Sequence, residues 1–187
     1  MLEPETSVGR RIAVVGTMGC GKTYVAQMLA AKLGLAYISS DAITIGPNWR
    51  TVPHEERVGQ IDEATSAGAW TFDGNLAARH PDDRIVLDRF DTMVWLDLPR
   101  WQVWSQLIRR TLARIFLRQE LWHGNKESVR MAFSRDSVVW WSIKTFSSRR
   151  RAYGTMFEDA TYSDRTLIRL YSRREVDRWL ARIAPAP

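Results

Sequence analysis

Residues Arg11–Tyr24 read RIAVVGTMGCGKTY, and this segment carries the pattern that specifies the fold. It begins with a short β-branched run, Arg11–Val15, the pattern of a strand buried on both faces. Residues 16–23 then match GxxxxGK[ST], and apolar residues recur at helical spacing from there to Gly34. Strand, glycine-rich loop and helix in this order are the context in which the pattern marks a phosphate-binding loop (P-loop). The sequence therefore predicts a nucleotide-binding α/β domain.

The chemistry of this loop assigns a role to each of its parts. Glycines let successive N–H groups curl around phosphate oxygens, and the helix N-terminus adds partial positive charge. We expect Lys22 to reach the β- and γ-phosphates of ATP and the Thr23 hydroxyl to coordinate Mg²⁺. The predicted nucleotide-binding residues of the loop are Gly16, Thr17, Met18, Gly19, Cys20, Gly21, Lys22, Thr23 and Tyr24.

The remainder of the chain alternates strand-like and helix-like segments. Further strands are predicted at Leu35–Ser39, Trp70–Phe72, Met93–Leu96 and Thr166–Tyr171. Further helices are predicted at 55–67, 100–118, 128–147 and 173–183. Such alternation is typical of a parallel sheet covered by helices on both faces. The 187 residues suit one domain, with residues 1–9 expected to form a flexible tail.

Composition restricts the compartment and the partners. No apolar run approaches the roughly 20 residues that cross a bilayer, the N-terminus lacks the apolar core of a signal peptide, and the single cysteine cannot form an internal disulfide. We therefore expect a cytoplasmic protein with no membrane partner. The net charge is +6, and residues 100–151 hold twelve basic and three acidic residues. Such a segment attracts a polyanion, either nucleotide phosphates or a nucleic-acid backbone, unless it is simply a solvated helix face.

Aspartates follow three of the predicted strands. They are Asp41, Asp73 and Asp97. Ligands of parallel sheets bind beyond the carboxyl ends of the strands, and P-loop enzymes use an aspartate there to hold Mg²⁺. We favour Asp73 as the metal-linked carboxylate because Gly74 beside it leaves room for a nucleotide, and Asp97 is the alternative. Each of these residues taken alone is also a common turn former or helix cap.

Several motifs along the chain resemble one known family. They are GTMGCGKT, SSDAI after the second strand, FDGN after the third, VWLDLPRW after the fourth, an arginine-rich helix with Arg109-Arg110, ELWHGNKES, and the run Arg149–Arg151. The chain resembles adenylate kinase-like P-loop nucleotide kinases, most closely the bacterial proteins labelled DNA topology modulation or FlaR-related. The resemblance covers Arg11–Ile183. It implies a five-stranded parallel sheet of order 2-3-1-4-5 and an arginine-bearing helical lid, here about residues 118–148.

The resemblance also implies roles for the arginines of the basic segment. In this family, lid arginines neutralise the phosphoryl group in transfer, so we expect Arg110 and Arg114 to be catalytic and nucleotide-binding. Arg110 is expected at the adenine and Arg114 at phosphate, with Arg109 as an alternative for either place. Arg118 continues the i, i+4, i+8 series and is predicted to share their helix face. Arg149–Arg151 is a further possible source of arginine, and a solvated run is its alternative.

Asp41 has a counterpart in relatives similar to shikimate and gluconate kinases. There, an aspartate after the second strand binds the hydroxyl that attacks the γ-phosphate, so Asp41 is expected to be catalytic. The stretch Ser39-Ser40-Asp41 lacks the earlier acidic residue of the shikimate pattern, which argues against shikimate as the acceptor. Pro47–Arg50 is the candidate acceptor pocket, with Trp49 stacking on a ring and Arg50 meeting an anion, and a structural turn is the alternative.

These features together predict an ATP-dependent phosphotransferase that uses Mg²⁺. Its acceptor is expected to be a small molecule, a nucleotide or nucleoside. The alternative function is an ATP-dependent nucleic-acid-binding protein that affects DNA topology, in which the basic segment tracks phosphates. Nucleic acid is the less favoured partner, because the lid gives those arginines a sufficient role.

Overall fold

The centre of the molecule is a sheet of five parallel strands. In chain order they are β1 (Arg11–Gly16), β2 (Ala36–Ser39), β3 (Trp70–Asp73), β4 (Thr92–Leu96) and β5 (Thr166–Leu170). Their order in space is β2-β3-β1-β4-β5. In this computed structural model, which describes residues 7–76, 81–126 and 137–186, Val14 pairs with Asp73 on one side and Val94 on the other. The predicted fold class and strand order are confirmed.

Seven helices and three short 3₁₀ turns connect and cover the strands in the described residues. The helices are α1 (Lys22–Leu33), α2 (Ser40–Thr44), α3 (His54–Ser66), α4 (Pro81–Arg89), α5 (Arg100–Phe116), α6 (Val138–Phe157) and α7 (Arg173–Arg182). The 3₁₀ turns are Pro47–Trp49, Trp122–Gly124 and Ala160–Tyr162. None of these helices combines the length and the apolar character that crossing a lipid bilayer requires.

The core divides into two clusters because β1 is buried on both faces. Ile12 and Val14 point to one cluster, where α1, α5 and α7 supply apolar side chains. Ala13 and Val15 point to the other, which is filled from α3, α4 and the C-terminal half of α6. These four side chains of β1 have 0% exposure. This alternation across a central strand is what the uninterrupted β-branched run of the sequence encodes.

Helix α6 differs from the predicted helix at 128–147. Residues 127–136 lie outside the described residues, and the helix continues ten residues past 147, to Phe157. The polar residues before Tyr153 show no apolar spacing that would predict this continuation. The helix persists because Tyr153 and Met156 are buried in the second core cluster, and Arg150 forms an ion pair with Asp97 at 2.6 Å.

Helix α5 ends earlier than predicted, which corrects the arginine series. The helix stops at Phe116, and Arg118 has a left-handed backbone with φ of 47°. Arg118 therefore does not share a helix face with Arg110 and Arg114. Helix α4 was not predicted from the sequence, although Pro81 stands at its first position with acidic residues in its first turn.

The predicted tail and lid are described only in part. Residues 1–6 of the tail lie outside the described residues, while the Gly9 N–H donates a hydrogen bond to Thr92 Oγ1 at 2.8 Å. Of the lid expected at about 118–148, residues 127–136 lie outside the described residues. The flanking parts are the 3₁₀ turn at Trp122–Gly124 and the first half of α6.

Candidate active site

The P-loop connects β1 to α1 across the carboxyl edge of the sheet. A side chain at Gly16 would not fit, because a Cβ there would lie 2.7 Å from Cys20 Sγ and 2.9 Å from the Leu96 carbonyl oxygen. The Lys22 Nζ donates to the carbonyl oxygens of Gly16 and Thr17 at 3.2 and 3.3 Å. The ammonium group therefore lies over the loop, where an anion held by the loop N–H groups would meet it.

Asp73 lies directly opposite the start of α1. Its Oδ2 accepts hydrogen bonds from the Thr23 hydroxyl at 2.6 Å and the Tyr37 hydroxyl at 3.2 Å. Burial, together with the nearby Asp73 carboxylate, raises the pKa of Tyr37 to about 12, so this phenol remains a donor at neutral pH. The Thr23 and Asp73 oxygens are the hard donors that Mg²⁺ prefers.

The donor set suits a magnesium ion that also binds phosphate. The described residues contain no cluster of three or more His, Cys, Asp or Glu side chains able to enclose a metal. Mg²⁺ usually keeps several waters and takes only one or two protein carboxylates beside substrate phosphates. Thr23 and Asp73 fit that partial set.

Asp97, the alternative metal-linked carboxylate, is occupied by arginines. Arg150 reaches Oδ1 at 2.6 Å, and Arg169 reaches Oδ2 at 2.7 Å. The Asp97 side chain is only 2% exposed. Its oxygens thus neutralise two cations that join α6 and β5 to the end of β4. This arrangement favours Asp73 over Asp97 as the metal-linked residue.

A cavity of about 380 Å³ opens beside the P-loop. It brings together predicted residues from four parts of the chain: Lys22, Asp41, Asp73, Arg110 and Arg114. The other lining residues are Met18, Gly19, Gly21, Thr23, Tyr24, Gln27, Ile45, Trp49, Asn75, Gln106 and Trp122. Arg50 is exposed and does not line the cavity. Of the predicted acceptor segment Pro47–Arg50, Trp49 lines the cavity, and Ile45, four positions earlier, lines it as well.

The surroundings of the Asp41 carboxyl group in the cavity raise its pKa. Its surface is open to the cavity, yet the cavity walls exclude much of the bulk water, and this desolvation raises its pKa. Lys22, Arg110 and Arg114 lower the pKa and Asp73 raises it further, without reversing the direction. A carboxylate with a raised pKa among cations is suited to accept a proton when a hydroxyl reacts nearby.

A second cavity of about 830 Å³ adjoins the first. Gln106 and Arg110 on α5 line both, and Arg109, Trp101 and Arg173 line the second. Trp101 is 69% exposed, so its indole is available to this cavity. The Arg173 guanidinium lies 4.5 Å from the Tyr24 ring centroid, closing the junction at the start of α1. The two cavities together form a trough that passes over the P-loop.

Two other residues that the sequence suggested for the site, Cys20 and Arg149, pack against other residues of the protein. Cys20 is buried, and burial raises the pKa of its thiol, so it fills space under the loop. Arg149 stacks 4.4 Å from the Trp141 ring centroid. Its Nη1 and the Tyr153 hydroxyl are both buried and close together, and within the described part of the chain neither forms a hydrogen bond of good geometry.

Sequence reasoning missed three residues that the fold brings to the site. Tyr37 reaches Asp73 from the neighbouring strand, Gln106 lies one turn before Arg110, and Asn125 joins two loops at the cavity wall. The i, i+4 spacing of Gln106 and Arg110 was a signal that could have identified the former. Tyr37 and Asn125 depend on tertiary contacts that no local pattern encodes.

Comparison with sequences gives one short similarity. No protein-family model matches the chain. A shikimate kinase from Paramagnetospirillum magneticum (strain ATCC 700264 / AMB-1) is 54% identical over 35 residues, which are 19% of this chain and 18% of that relative. The similarity thus spans less than a fifth of either protein.

Comparison with solved structures covers nearly the whole chain. An unliganded sugar kinase from Janibacter sp. HTCC2649 matches with a TM-score of 0.54 and 14% identity, over 93% of this chain and 91% of that one. The shikimate kinase of Bacteroides thetaiotaomicron matches with 0.54 and 15%, over 92% and 94%. That of Acinetobacter baumannii, in complex with shikimate, matches with 0.56 and 17%, over 94% and 91%.

These likenesses place the chain among proteins with the P-loop kinase fold. At 14–17% identity they concern the fold alone. They do not extend to the adenylate kinase-related or DNA topology modulation subgroups, which remain predictions.

Proposed function

We propose that this protein is an ATP-dependent phosphotransferase that moves the γ-phosphoryl group to a hydroxyl of a small acceptor. The observation that carries the proposal is that Lys22, Asp41 and Arg114 line one cavity. A phosphate-binding lysine, a carboxylate that can take a proton and a separate cation are the groups that phosphoryl transfer to a hydroxyl needs.

The trough gives each part of ATP a position. The phosphates lie over the P-loop, with Lys22 on the β- and γ-phosphates. The base enters the 830 Å³ cavity beside Trp101, Arg109 and Arg173, where an indole ring and planar guanidinium groups favour stacking. Arg110 lines both cavities and meets the nucleotide between its base and its terminal phosphate.

The reaction uses the residues on the acceptor side of the P-loop. The acceptor oxygen bonds to the γ-phosphorus as the bond to the bridging oxygen of ADP breaks, and the hydroxyl proton passes to Asp41. Arg110 and Arg114 stabilise charge on the transferring group, and Lys22 stabilises charge on the leaving phosphate. Thr23 and Asp73 would hold a Mg²⁺ ion, which would supply positive charge to the phosphates when bound.

The acceptor proposed is a nucleotide or nucleoside. Trp49 and Trp122 line the cavity with Asp41, so aromatic rings flank the place where the reacting hydroxyl lies. Indole rings favour a flat or ring-shaped ligand that stacks. This chemistry also accommodates a sugar, and the acceptor panel below distinguishes the two.

The nucleic-acid alternative has less support, because many basic side chains of the 100–151 segment have partners within the molecule. Arg150 is paired with Asp97, Arg100 donates to Ser147 Oγ at 2.6 Å, and Arg149 stacks on Trp141. Arg110 and Arg114 line the cavity rather than an outer groove.

The test is ATP-dependent phosphorylation across a panel of nucleosides, nucleotides and sugars, scored by ADP release and by mass of the product. Lys22→Ala should lose at least about 100-fold in turnover. Lys126→Ala, which removes an exposed lysine that forms an ion pair with Glu120 at 3.0 Å, is the matched control and should retain activity. ATP hydrolysis stimulated by duplex DNA, with no acceptor phosphorylated, would contradict the proposal.

A further inference from the structure

Two separate turns meet at the wall of the cavity. One is the 3₁₀ turn Pro47–Trp49, between β2 and α3, and the other is the 3₁₀ turn Trp122–Gly124, which follows α5. Each turn is closed at its base by an isolated antiparallel bridge, Ile45 with Thr51 in the first and Glu120 with Lys126 in the second. Each turn is thus a small closed loop. We call them the acceptor loop (45–51) and the α5 loop (120–126).

A single buried amide, that of Asn125, fastens the two loops together. The Trp49 N–H donates to Asn125 Oδ1 at 3.0 Å, and Asn125 Nδ2 donates to the Gly46 carbonyl oxygen at 3.0 Å. Asn125 is 4% exposed. The site needs an acceptor and a donor on one short side chain, which asparagine provides and aspartate or leucine does not.

The backbone of the acceptor loop depends on this support. Asn48 and Trp49 both have left-handed backbones, with φ of 56° and 59°. Asparagine tolerates that conformation, but a bulky residue such as tryptophan adopts it only where its surroundings hold it. The bond to Asn125 Oδ1 is made by the N–H of Trp49 itself, so it supports the strained residue directly.

A second contact joins the α5 loop to the helix that carries Asp41. The His123 Nε2 lies 3.1 Å from the Ala42 carbonyl oxygen in α2. The α5 loop therefore contacts both chain segments that form the acceptor side, the helix of Asp41 and the turn of Trp49. It also follows directly from α5, which carries Arg110 and Arg114.

We infer that Asn125 is a positioning residue that transmits nucleotide binding at α5 to the acceptor wall of the cavity. The inference rests on the proposed function, in which Arg110 and Arg114 meet the phosphates. A shift of α5 toward bound phosphates moves the α5 loop and its Trp122. Through Asn125 the acceptor loop and its Trp49 move with it, so the acceptor cavity takes its final shape only when nucleotide is bound.

The first test needs no acceptor and reads the two tryptophans directly. The protein is labelled with 5-fluorotryptophan, and the ¹⁹F signals of Trp49 and Trp122 are assigned with Trp→Phe variants. Adding Mg²⁺ and a nonhydrolysable ATP analogue should shift both signals in the parent protein. In Asn125→Ala the Trp122 shift should remain and the Trp49 shift should be lost. The signals of buried Trp70 and Trp179, at 0% and 1% exposure, report whether the variant remains folded.

Two further variants sharpen this measurement. Lys126→Ala, in the same loop and on the surface, should behave as the parent does. Asn125→Asp keeps the acceptor for the Trp49 N–H but loses the donor to Gly46, so its Trp49 response should be intermediate. It also stands in for the alanine variant if that variant does not fold. A Trp49 signal that ignores nucleotide in the parent, or that responds fully in Asn125→Ala or Asn125→Asp, overturns the inference.

The second test is kinetic, with whichever acceptor the panel identifies. Asn125→Ala should raise the KM for that acceptor by about 10-fold and leave the KM for ATP within about 2-fold. Equal increases in the KM for the acceptor and the KM for ATP would indicate that Asn125 has only a structural role, and would overturn the inference. Failure of the proposed function is distinguishable, because it appears as a parent protein that phosphorylates no acceptor, whatever the fluorine signals show.

Discussion

At the scale of single residues, the two strand-end carboxylates Asp73 and Asp97 show how position alone fails to define a role. Both follow central strands, and both are buried. Asp73 is bonded by the hydroxyls of Thr23 and Tyr37, whereas Asp97 is bonded by the guanidinium groups of Arg150 and Arg169. The hydroxyl partners of Asp73 are neutral, so its carboxylate can still bind a cation. The Asp97 carboxylate is already neutralised by two guanidinium groups.

Substituting the two aspartates should separate activity from stability. Asp73→Asn is expected to lower Mg²⁺-dependent turnover by about 100-fold and to leave the melting temperature nearly unchanged. Asp97→Asn removes the charge between two arginines and should cost about 2 kcal/mol, less than a fully buried pair because Arg150 and Arg169 are 47% and 34% exposed. Its melting temperature should fall by roughly 4–8 °C. Steady-state kinetics against Mg²⁺ and thermal melts check both, and a larger loss of Mg²⁺ dependence in Asp97→Asn would reverse the assignment.

The pH profile should report the raised pKa of Asp41. The carboxylate must be ionised to accept a proton, so kcat/KM falls as the pH drops through its pKa. Because desolvation raises that pKa above 3.8, the acid limb should lie at higher pH than for an ordinary aspartate. Arg114→Ala removes a charge that lowers the pKa, so the limb should move further up. The measurement is kcat/KM from about pH 4 to 8.

The matched control for this profile is Arg118→Ala. Arg118 is exposed and lies beyond the end of α5, so its loss should leave the acid limb in place. Asp41→Asn should lower turnover by about 100-fold or more and remove the limb. An acid limb that stays unchanged in Arg114→Ala would show that a different group controls it.

At the scale of elements, α5 lines the cavity together with α1. It carries Gln106, Arg110 and Arg114 on one side, and its end leads into the loop that holds Trp122 and Asn125. Helix α6 is anchored to the sheet through Arg150 and Asp97 and contributes apolar side chains to both core clusters. The residues proposed to contact nucleotide and acceptor come from elements that are distant along the chain and line one cavity.

Two glycines at the helices make a paired prediction about helix stability. A Cβ at Gly59, inside α3, or at Gly34, after α1, would meet open space in either case. Gly59 has an ordinary helical backbone, so Gly59→Ala should stabilise the protein by about 0.5–1 kcal/mol. Gly34 has φ of 61°, so Gly34→Ala should destabilise it by about 1 kcal/mol. Denaturant unfolding measures both, and effects of equal sign would contradict the backbone explanation.

At the scale of the whole molecule, the trough and the charge distribution favour a nucleotide as the anion that the basic segment meets. Among the described residues, Arg110 and Arg114 line the trough. Arg150, Arg100 and Arg149 instead bind a carboxylate, a hydroxyl and an aromatic ring elsewhere in the molecule. An anion bound inside the trough contacts several helices and loops at once and so holds them together. Binding should therefore stabilise the entire fold.

Thermal melts should reveal this linkage. A nonhydrolysable ATP analogue with Mg²⁺, at about 100 times its dissociation constant, should add roughly 2.7 kcal/mol and raise the melting temperature by roughly 5–10 °C. Lys22→Ala should abolish the shift at the same concentration, and Lys126→Ala should preserve it. Duplex DNA should give little shift. A DNA-induced shift that falls steeply with salt would support the nucleic-acid alternative.

The P-loop, the parallel sheet and the strand-end aspartates could be predicted from the sequence, because each of these is encoded locally. A β-branched run, a glycine pattern and a helical stripe specify a strand, a loop and a helix from neighbouring residues alone. The order of the five strands came from the family resemblance, and the sheet confirms it.

Which side chains share the cavity depends on tertiary packing. Helix α6 continues through a polar segment because Tyr153 and Met156 are buried in the core. Arg118 does not share a helix face with Arg110 and Arg114 because α5 ends before it. Tyr37 reaches Asp73, and Asn125 reaches Trp49, across 36 and 76 positions of the chain. Contacts at such separations depend on how whole elements pack, and no local spacing in the sequence carries that information.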